Sequence, residues 1–505
     1  MTLLWTIGLA FAIYCLLTYV FSYWERRGVT QLTPSWLFGN VKNVFFLKAS
    51  IGEIYCKLYE ESTKLPFVGV YVAFRPFLLV NDPALMKNVL IRDFHHFTDR
   101  GLRVDERNDP ISGNLFMVPN PKWRNLRVNL TPAFTSGKLK AMFPIILDIG
   151  DRLLDHIDQH STEEIDARDL LARFTTDIIA SVGFGVEIDS INNTTFFRQI
   201  GVKIFEPTFR GGLRWLGMIL LPVMNSVLGL KVVDQDVEDF LIDLVRKTIE
   251  YRESSGVVRK DIMQLMLQLR NSGSVSAEDQ WDIQVSKAAK QLSIEELAAQ
   301  AFVFFVAGYD TSSTTMSYCL FELARNPEMQ KKVQREIKQC TVPCLGKLTY
   351  ENLHEIKYLE CCILETLRKY PALPYLNREC TKDYQIPGTQ VEITKGTPLV
   401  LPILGVHRDP KYFPEPLRFD PDRFASYDKN DSTKPFFPFG AGPRNCIGMR
   451  LGMIQTKLGL AMCLQNYTVS LARPEQRQGE LPISATTPLM APKDGIYVRV
   501  QRHHQ

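Results

Sequence analysis

The sequence predicts a mainly α-helical fold with a small β portion. Three observations carry that reading. From about residue 120 to 375, apolar side chains recur at helical spacing. Stretches with strand character are short and confined to 65–80, 385–404 and the tail beyond about 465. No linker, low-complexity tract or fixed-period repeat divides the 505 residues, and 45% hydrophobic with 23% charged residues is the composition of a chain that buries a large core.

Residues 1–24, MTLLWTIGLAFAIYCLLTYVFSYW, carry no charged side chain. At 1.5 Å rise per residue such a helix crosses a hydrocarbon core of ~30 Å. Trp5, Tyr19, Tyr23 and Trp24 stand where interfacial aromatic belts are wanted, and Arg26 and Arg27 follow on the carboxyl side. That charge bias leaves the body in the cytosol. A cleaved signal peptide fits less well, because a charged leading region and an A-x-A site are both missing. The expected boundaries are an anchor over 1–24 and one body over 25–505. Residues 65–80 read as a hairpin closed near Arg75-Pro76, and Asn81-Asp82-Pro83 as a helix start. Ser293-Ile294-Glu295-Glu296 is a capping box that opens a long central helix running to about Ala324. Residues 213–230 are apolar but interrupted by Arg214, Pro222 and Asn225, which suits an interfacial patch, a pocket lip or a buried helix pair. Short strands fill 385–404, and a helix resumes after Cys446.

The net charge of +4 is too mild for nucleic acid binding, and no basic stripe with interleaved aromatics occurs. The 10 cysteines are irregularly spaced, Cys340 and Cys344 form a lone C-x3-C, and the 8 histidines show no metal spacing.

The strongest local signal is the segment Pro435 to Gly448, PFFPFGAGPRNCIG. Gly440 and Gly442 let the backbone turn tightly and pass close to a flat ligand, and Pro443 stiffens the turn. Cys446 leads into an apolar helix, whose positive end and unpaired amides favour a thiolate. Phe439 can cover the thiolate and Arg444 can reach an anionic group. Elsewhere, Glu365 and Arg368 share a helix face; alone they would form a surface salt bridge of little value. Asp310 and Thr311 put an acid and an alcohol into an otherwise apolar helix, which is expensive if unused. Hydroxyls from Thr311 to Thr315 can bend that helix by bonding its carbonyls. Trp123 and Arg127 lie one turn apart and can grip one object.

The combination F-x-x-G-x-R-x-C-x-G, met at Phe439, Gly442, Arg444, Cys446 and Gly448, resembles the ligand loop of the cytochrome P450 family. Ala307-Gly308-Tyr309-Asp310-Thr311-Ser312 resembles that family's A-G-x-D/E-T-T/S segment, and Glu365-Thr366-Leu367-Arg368 its E-x-x-R. The motifs run in the family's order across roughly residues 80 to 465. Asp422 replaces the usual glutamate of P-E-R-F, and the proline-rich hinge after the anchor is reduced to Pro34. The stretches IRDFHHF, FTDRG and WRNLRVNLTPAFTSGKLKAMF resemble the insect microsomal detoxification group related to the vertebrate drug-metabolising branch.

The resemblance implies the P450 fold, with haem b held between the central helix and the cysteine loop and Cys446 as axial ligand to iron. It implies that Trp123, Arg127, Arg378, Arg444 and Arg100 hold propionates, Arg378 and Arg100 by position alone. Glu365, Arg368 and Arg423 would form a buried structural triad that locks the loop. Thr311 would stabilise dioxygen, and Asp310 would relay protons from solvent. The implied reaction is RH + O2 + NADPH + H+ → ROH + H2O + NADP+, an unspecific monooxygenase reaction on lipophilic substrates such as insecticides or plant toxins. No G-x-G-x-x-G loop follows a strand, so electrons would come from a separate NADPH-cytochrome P450 reductase, with cytochrome b5 as a second donor. The reductase would dock near Lys434, Arg444 and Arg450, on a protein held in the endoplasmic reticulum membrane and facing the cytosol. Pocket walls are expected from 105–116, 205–215, 302–311, 372–376 and 484–489. Rival readings are a hydroxylase of endogenous hormones or lipids, a haem-thiolate isomerase or dehydratase with no use for Asp310 and Thr311, and a non-catalytic haem sensor or carrier.

Overall fold

Local signals start the main elements, and the packing of a few of them positions the site. The computed structural model describes residues 2–503 except 206–207, 209–210, 212–213, 215–216, 218–228, 274, 276–279, 283–291 and 427–434. Most of the apolar stretch 213–230, and Lys434, therefore lie outside the described residues. The architecture is mainly helical with a small β portion, as expected.

The central helix spans Ile294–Arg325, one residue beyond the expected end. Ser293 Oγ accepts the Glu296 N–H at 3.1 Å while the Glu296 carboxylate accepts the Ser293 N–H at 3.1 Å, which completes the capping box. Helices Ala167–Ile178, Gln235–Ser255, Lys357–Lys369 and Met449–Asn466 pack around it and form the main core. The hydroxyls of Thr311, Ser313, Thr315 and Ser317 donate to carbonyls four residues back, and the helix stays α-helical throughout.

The first residues of Lys357–Lys369 are held from outside. The Glu336 carboxylate, on the neighbouring helix Pro327–Thr341, accepts the N–H groups of Lys357, Tyr358 and Leu359 at 2.8, 2.8 and 3.2 Å. Three N–H groups that a helix start leaves unbonded are thereby satisfied, and by a charge of the favourable sign.

A four-stranded sheet runs in the order Phe67–Val72, Arg75–Val80, Pro398–Leu401, Leu376–Glu379. The middle pair is parallel and the outer pairs are antiparallel. Both faces are buried. Leu78, Val80, Leu399 and Leu401 pack on one side with Leu90, Phe97 and Phe437; Phe77, Leu79 and Val400 pack on the other with Ile54 and Leu58. The hairpin turns at Ala73, whose φ is 47°, rather than at Arg75-Pro76. Pro76 sits in the strand opposite Tyr71, at its beginning, where a missing N–H is tolerated. Strand Leu376–Glu379 lay in a region expected to be followed by strands only from 385. Residues 385–404 supply Glu392–Ile393 and Pro398–Leu401, then the short helix Ile403–His407.

The amino-terminal helix Thr2–Phe21 buries no residue, and the helical stretch Thr2–Arg27 is long and apolar enough to cross a membrane by length and composition. Trp24 corrects one expectation. It is 1% exposed and no belt residue: its ring fills the space above Gly69, where a Cβ would come within 2.3 Å of it, and its Nε1–H donates to Val70 O at 3.3 Å.

Candidate active site

The cysteine loop is built by short-range hydrogen bonds. The Gly440 N–H donates to Phe437 O at 3.0 Å, Asn445 N–H to Gly442 O at 3.1 Å, and Cys446 N–H to Phe439 O at 2.9 Å. Gly440 and Gly442 have φ of 68° and 70°, in the left-handed region that favours glycine. The close approach at Gly442 is to protein: a Cβ there would lie 1.9 Å from Leu90 O. The following helix begins at Met449, three residues after Cys446. Cys446 is accessible on its open side, yet protein crowds it enough that burial raises its thiol pKa. The Gly448 N–H, Arg127 and Arg100 pull the other way. Phe439 is partly buried at the edge of the main core.

The central helix is buried almost all round, but Val303, Val306, Ala307, Gly308 and Thr311 are partly or fully accessible. Residues 303, 307 and 311 follow four-residue spacing, so they form one stripe. Gln455, on the helix after the cysteine loop, donates to Gly308 O at 3.3 Å and to Ser312 Oγ at 2.5 Å. The helix that follows the cysteine loop is thereby fastened to the central helix next to the stripe. Thr311 Oγ1 donates to Ala307 O at 2.6 Å, which leaves its oxygen free to accept from the open side. Gly308 has a packing reason: a Cβ would meet Ile179 Cδ1 at 2.4 Å.

Asp310 points elsewhere. It is 3% exposed and accepts from Arg168 Nη2 at 2.8 Å and from Thr314 Oγ1 at 3.4 Å. Burial raises its carboxyl pKa, with Arg168 the chief force against. Arg168 in turn lines a polar cleft of about 670 Å³ together with Asp166, Asp169, Arg198, Arg473 and Tyr497. That cleft is on the Asp310 side of the helix and Cys446 does not line it.

Around the loop gathers a cluster of arginines. Arg444 is buried, donates from Nε to Thr98 O at 2.6 Å and from Nη2 to Val118 O at 2.9 Å, and lies 4.3 Å above the Trp123 ring. Arg127 clasps the loop at Asn445, donating to its backbone O and its Oδ1, both at 2.7 Å. Arg100 donates to Arg444 O at 3.4 Å and stacks 4.1 Å from Phe116. Arg378 is 1% exposed and donates to Asn377 O at 2.8 Å. Burial and the mutual repulsion of these cations push Arg378 well down, and burial is also the first cause that pushes Arg444 to about 9 and Arg100 to about 10. Among the described residues Arg100, Arg127 and Arg378 have no carboxylate partner, and Arg100 Nε, Arg378 Nε and Arg444 Nη1 are buried without a hydrogen bond. Neighbouring cations this poorly compensated fit a ligand that carries two carboxylates.

The Glu365–Arg368 pair is no surface bridge. Both side chains are fully buried, joined by Arg368 Nε to Oε2 at 2.7 Å and Nη2 to Oε1 at 2.8 Å. Arg423 Nε stands 3.5 Å from Glu365 Oε1, and the Asp420 N–H donates to the same oxygen at 2.9 Å. The structure brings together all three triad residues. It removes Arg444 from any docking face, because that side chain is buried; Arg450 is exposed.

Two residues escaped the sequence reading. Arg168 meets Asp310 across 142 positions, and no local pattern announces it. His407 stands in GVHRDP without an assigned role, yet its Nε2 accepts the Phe437 N–H of the cysteine loop at 2.9 Å.

Among the described residues no three His, Cys, Asp or Glu side chains gather as a metal site. The accessible cysteine and the arginines without carboxylate partners suit a group that takes one thiolate from the protein and offers carboxylates of its own. By class, that is a haem-thiolate protein. A sequence model of the family described as Cytochrome P450 matches residues 30–498, and the chain belongs to that family. It is 40% identical over 497 residues to "Probable cytochrome P450 6d5" of Drosophila melanogaster, covering 97% of each chain. It is 38% identical over 498 residues to "Cytochrome P450 6d3" of Musca domestica, covering 95% of each. It is 37% identical over 512 residues to "Cytochrome P450 6a2" of Drosophila melanogaster, covering 98% of this chain and 99% of the relative. The likeness to an insect group is thereby borne out. Family membership carries haem as the cofactor and monooxygenase activity in general.

Proposed function

We propose that this P450 oxidises lipophilic xenobiotics, such as insecticides or plant toxins, at the endoplasmic reticulum membrane. The apolar amino-terminal helix would hold it there with its body in the cytosol, and a separate NADPH-cytochrome P450 reductase, with cytochrome b5 as a second donor, would supply electrons. The observation that carries the reading is an accessible cysteine on a glycine-turned loop, beside arginines that lack carboxylate partners. The xenobiotic class rests on the likeness to the insect detoxification group and on the apolar character of Val303, Val306 and Ala307 along the accessible stripe.

When bound, haem supplies oxygen activation, with a thiolate ligand donating electron density to its iron. Cys446 provides that sulfur. Arg100, Arg127, Arg378, Arg444 and Trp123 hold the two propionates, and Phe439 keeps water from the sulfur. Glu365, Arg368 and Arg423 hold the backbone on which the loop rests. Thr311 holds a proton at Oγ1 against Ala307 O and offers its lone pairs to the open side. Asp310, oriented by Arg168 at the edge of the polar cleft, would take protons from solvent there and relay them toward the stripe.

The test is the reduced, carbon-monoxide-bound difference spectrum of the purified protein. A strongly red-shifted Soret band that disappears in Cys446→Ala is expected. A band at the histidine-haem position in well-folded protein would overturn the reading.

A further inference from the structure

The buried triad does not touch the loop it would lock. Arg368 donates to His407 O at 2.9 Å and to Pro416 O at 2.8 Å, and Arg423 donates to Glu415 O at 3.1 Å. Among the described residues, none of Glu365, Arg368 and Arg423 is hydrogen-bonded to residues 435–448. Phe424, next to Arg423, packs its ring 4.8 Å from Phe436, but among the described residues it is His407 that spans the gap by hydrogen bonds at both ends. His407 ends the short helix Ile403–His407 and is fully buried. Its carbonyl accepts from Arg368, and its ring Nε2 accepts the Phe437 N–H at 2.9 Å. The ring lies 5.2 Å from Phe436 and 6.3 Å from Phe413, and Phe413 in turn lies 5.4 Å from the Arg368 guanidinium. Beyond Phe437 the chain of bonds continues: Phe437 O accepts from Gly440, and Phe439 O accepts from Cys446 itself.

The chemistry explains why a histidine stands here. Pro435 and Pro438 bracket Phe436-Phe437, so this backbone cannot enter a regular ladder. A buried N–H without a partner costs about 1–3 kcal/mol. A backbone N–H can only donate, so Nε2 must be the unprotonated nitrogen. Burial, then the Arg368 charge, push the imidazole down to about 3, so the ring is neutral and remains an acceptor.

We propose that His407 is the positioning residue through which the Glu365–Arg368–Arg423 network sets the placement of the Cys446 thiol. The proposal rests on the haem-thiolate reading above.

Three variants of the full-length, membrane-reconstituted protein test it. His407→Phe keeps a ring and removes the acceptor. His407→Asn is a second loss variant, since its shorter amide cannot reach Phe437, and it serves if the phenyl ring crowds the core. His407→Gln places an amide oxygen near the Nε2 position. Amide exchange over 436–446 should quicken by roughly five- to tenfold in the Phe and Asn variants, as expected for one lost buried hydrogen bond, and return to the wild-type rate in Gln. In the same proteins, part of the carbon monoxide band should leave the thiolate position and the haem midpoint potential should shift, with both restored by Gln. Wild-type exchange, band and potential in a folded loss variant would overturn the proposal. So would an equal loss in all three variants, which would make the ring a mere space-filler. The wild-type band reports on the haem-thiolate reading separately, and amide exchange does not depend on haem.

Discussion

Asp310 shows how one residue can carry a cost that the fold sustains. Burial outweighs the Arg168 charge, so its carboxyl holds a proton above the ordinary value of 3.8. Between the unfolded and folded pKa values the folded chain is the one that retains the proton. Stability on this group is therefore full below that window and falls as pH rises through it. Asp310→Asn should remove this part of the pH slope in melting temperature. Arg168→Met, which takes away the chief counter-charge, should move the slope to higher pH. Identical slopes in wild type and Asp310→Asn would show that the carboxyl titrates alike in both states. Cys446 and Asp310 were both singled out by their neighbours in sequence. Their surroundings were not, because Arg168 and His407 meet their partners only through packing over 142 and 30 positions.

Among elements, the central helix is the most informative. Its capping box, length and hydroxyl run follow from local sequence. The purpose of Gly308 does not, since it is set by Ile179 on the segment after helix Ala167–Ile178. Alanine has a helix propensity better than glycine by roughly 1 kcal/mol, and on that ground alone Gly308→Ala should stabilise. The 2.4 Å approach of Ile179 Cδ1 argues the opposite, with a net loss of about 1–2 kcal/mol from overpacking. Ile179→Val deletes Cδ1 but keeps Cγ1, which would stand 2.7 Å from the added Cβ, so the double variant should recover part of the loss in a denaturant titration. Additive losses would rule out the contact as the cause. The cap supplied by Glu336 belongs to the same lesson: the start of Lys357–Lys369 is held by a carboxylate on another helix. Strand Leu376–Glu379 escaped because it is four residues long, and so short a run carries no readable period.

At the scale of the molecule, the fold class and the order of its parts were legible, and the burial of Trp24 was not. Hydropathy cannot distinguish a side chain bound for lipid from one bound for a protein core, so Trp24 read as the last belt residue. The helix ends at Phe21, and Trp24 packs on the four-stranded sheet at Gly69 and Val70. Shortened chains should register this. One beginning at residue 22 keeps the Trp24 ring on Gly69 and should stay monodisperse and melt like the full chain. One beginning at residue 28 uncovers the strand at Gly69–Tyr71 and should melt lower and aggregate. Equal melting of the two would mean that the ring contributes nothing. Burying an indole contributes about 2–3 kcal/mol, enough to be seen.

The same contact makes the junction a stiff mast step, because the turn of chain after Phe21 is pinned to the sheet at Gly69 and Val70. With the proposed anchor in a bilayer, rocking of that helix would pass into the sheet, which touches the cysteine loop through Phe437 on its buried face. A body mounted in this way would keep one height and one heading, so the proposed reductase, diffusing in the same plane, would meet the same face at each encounter.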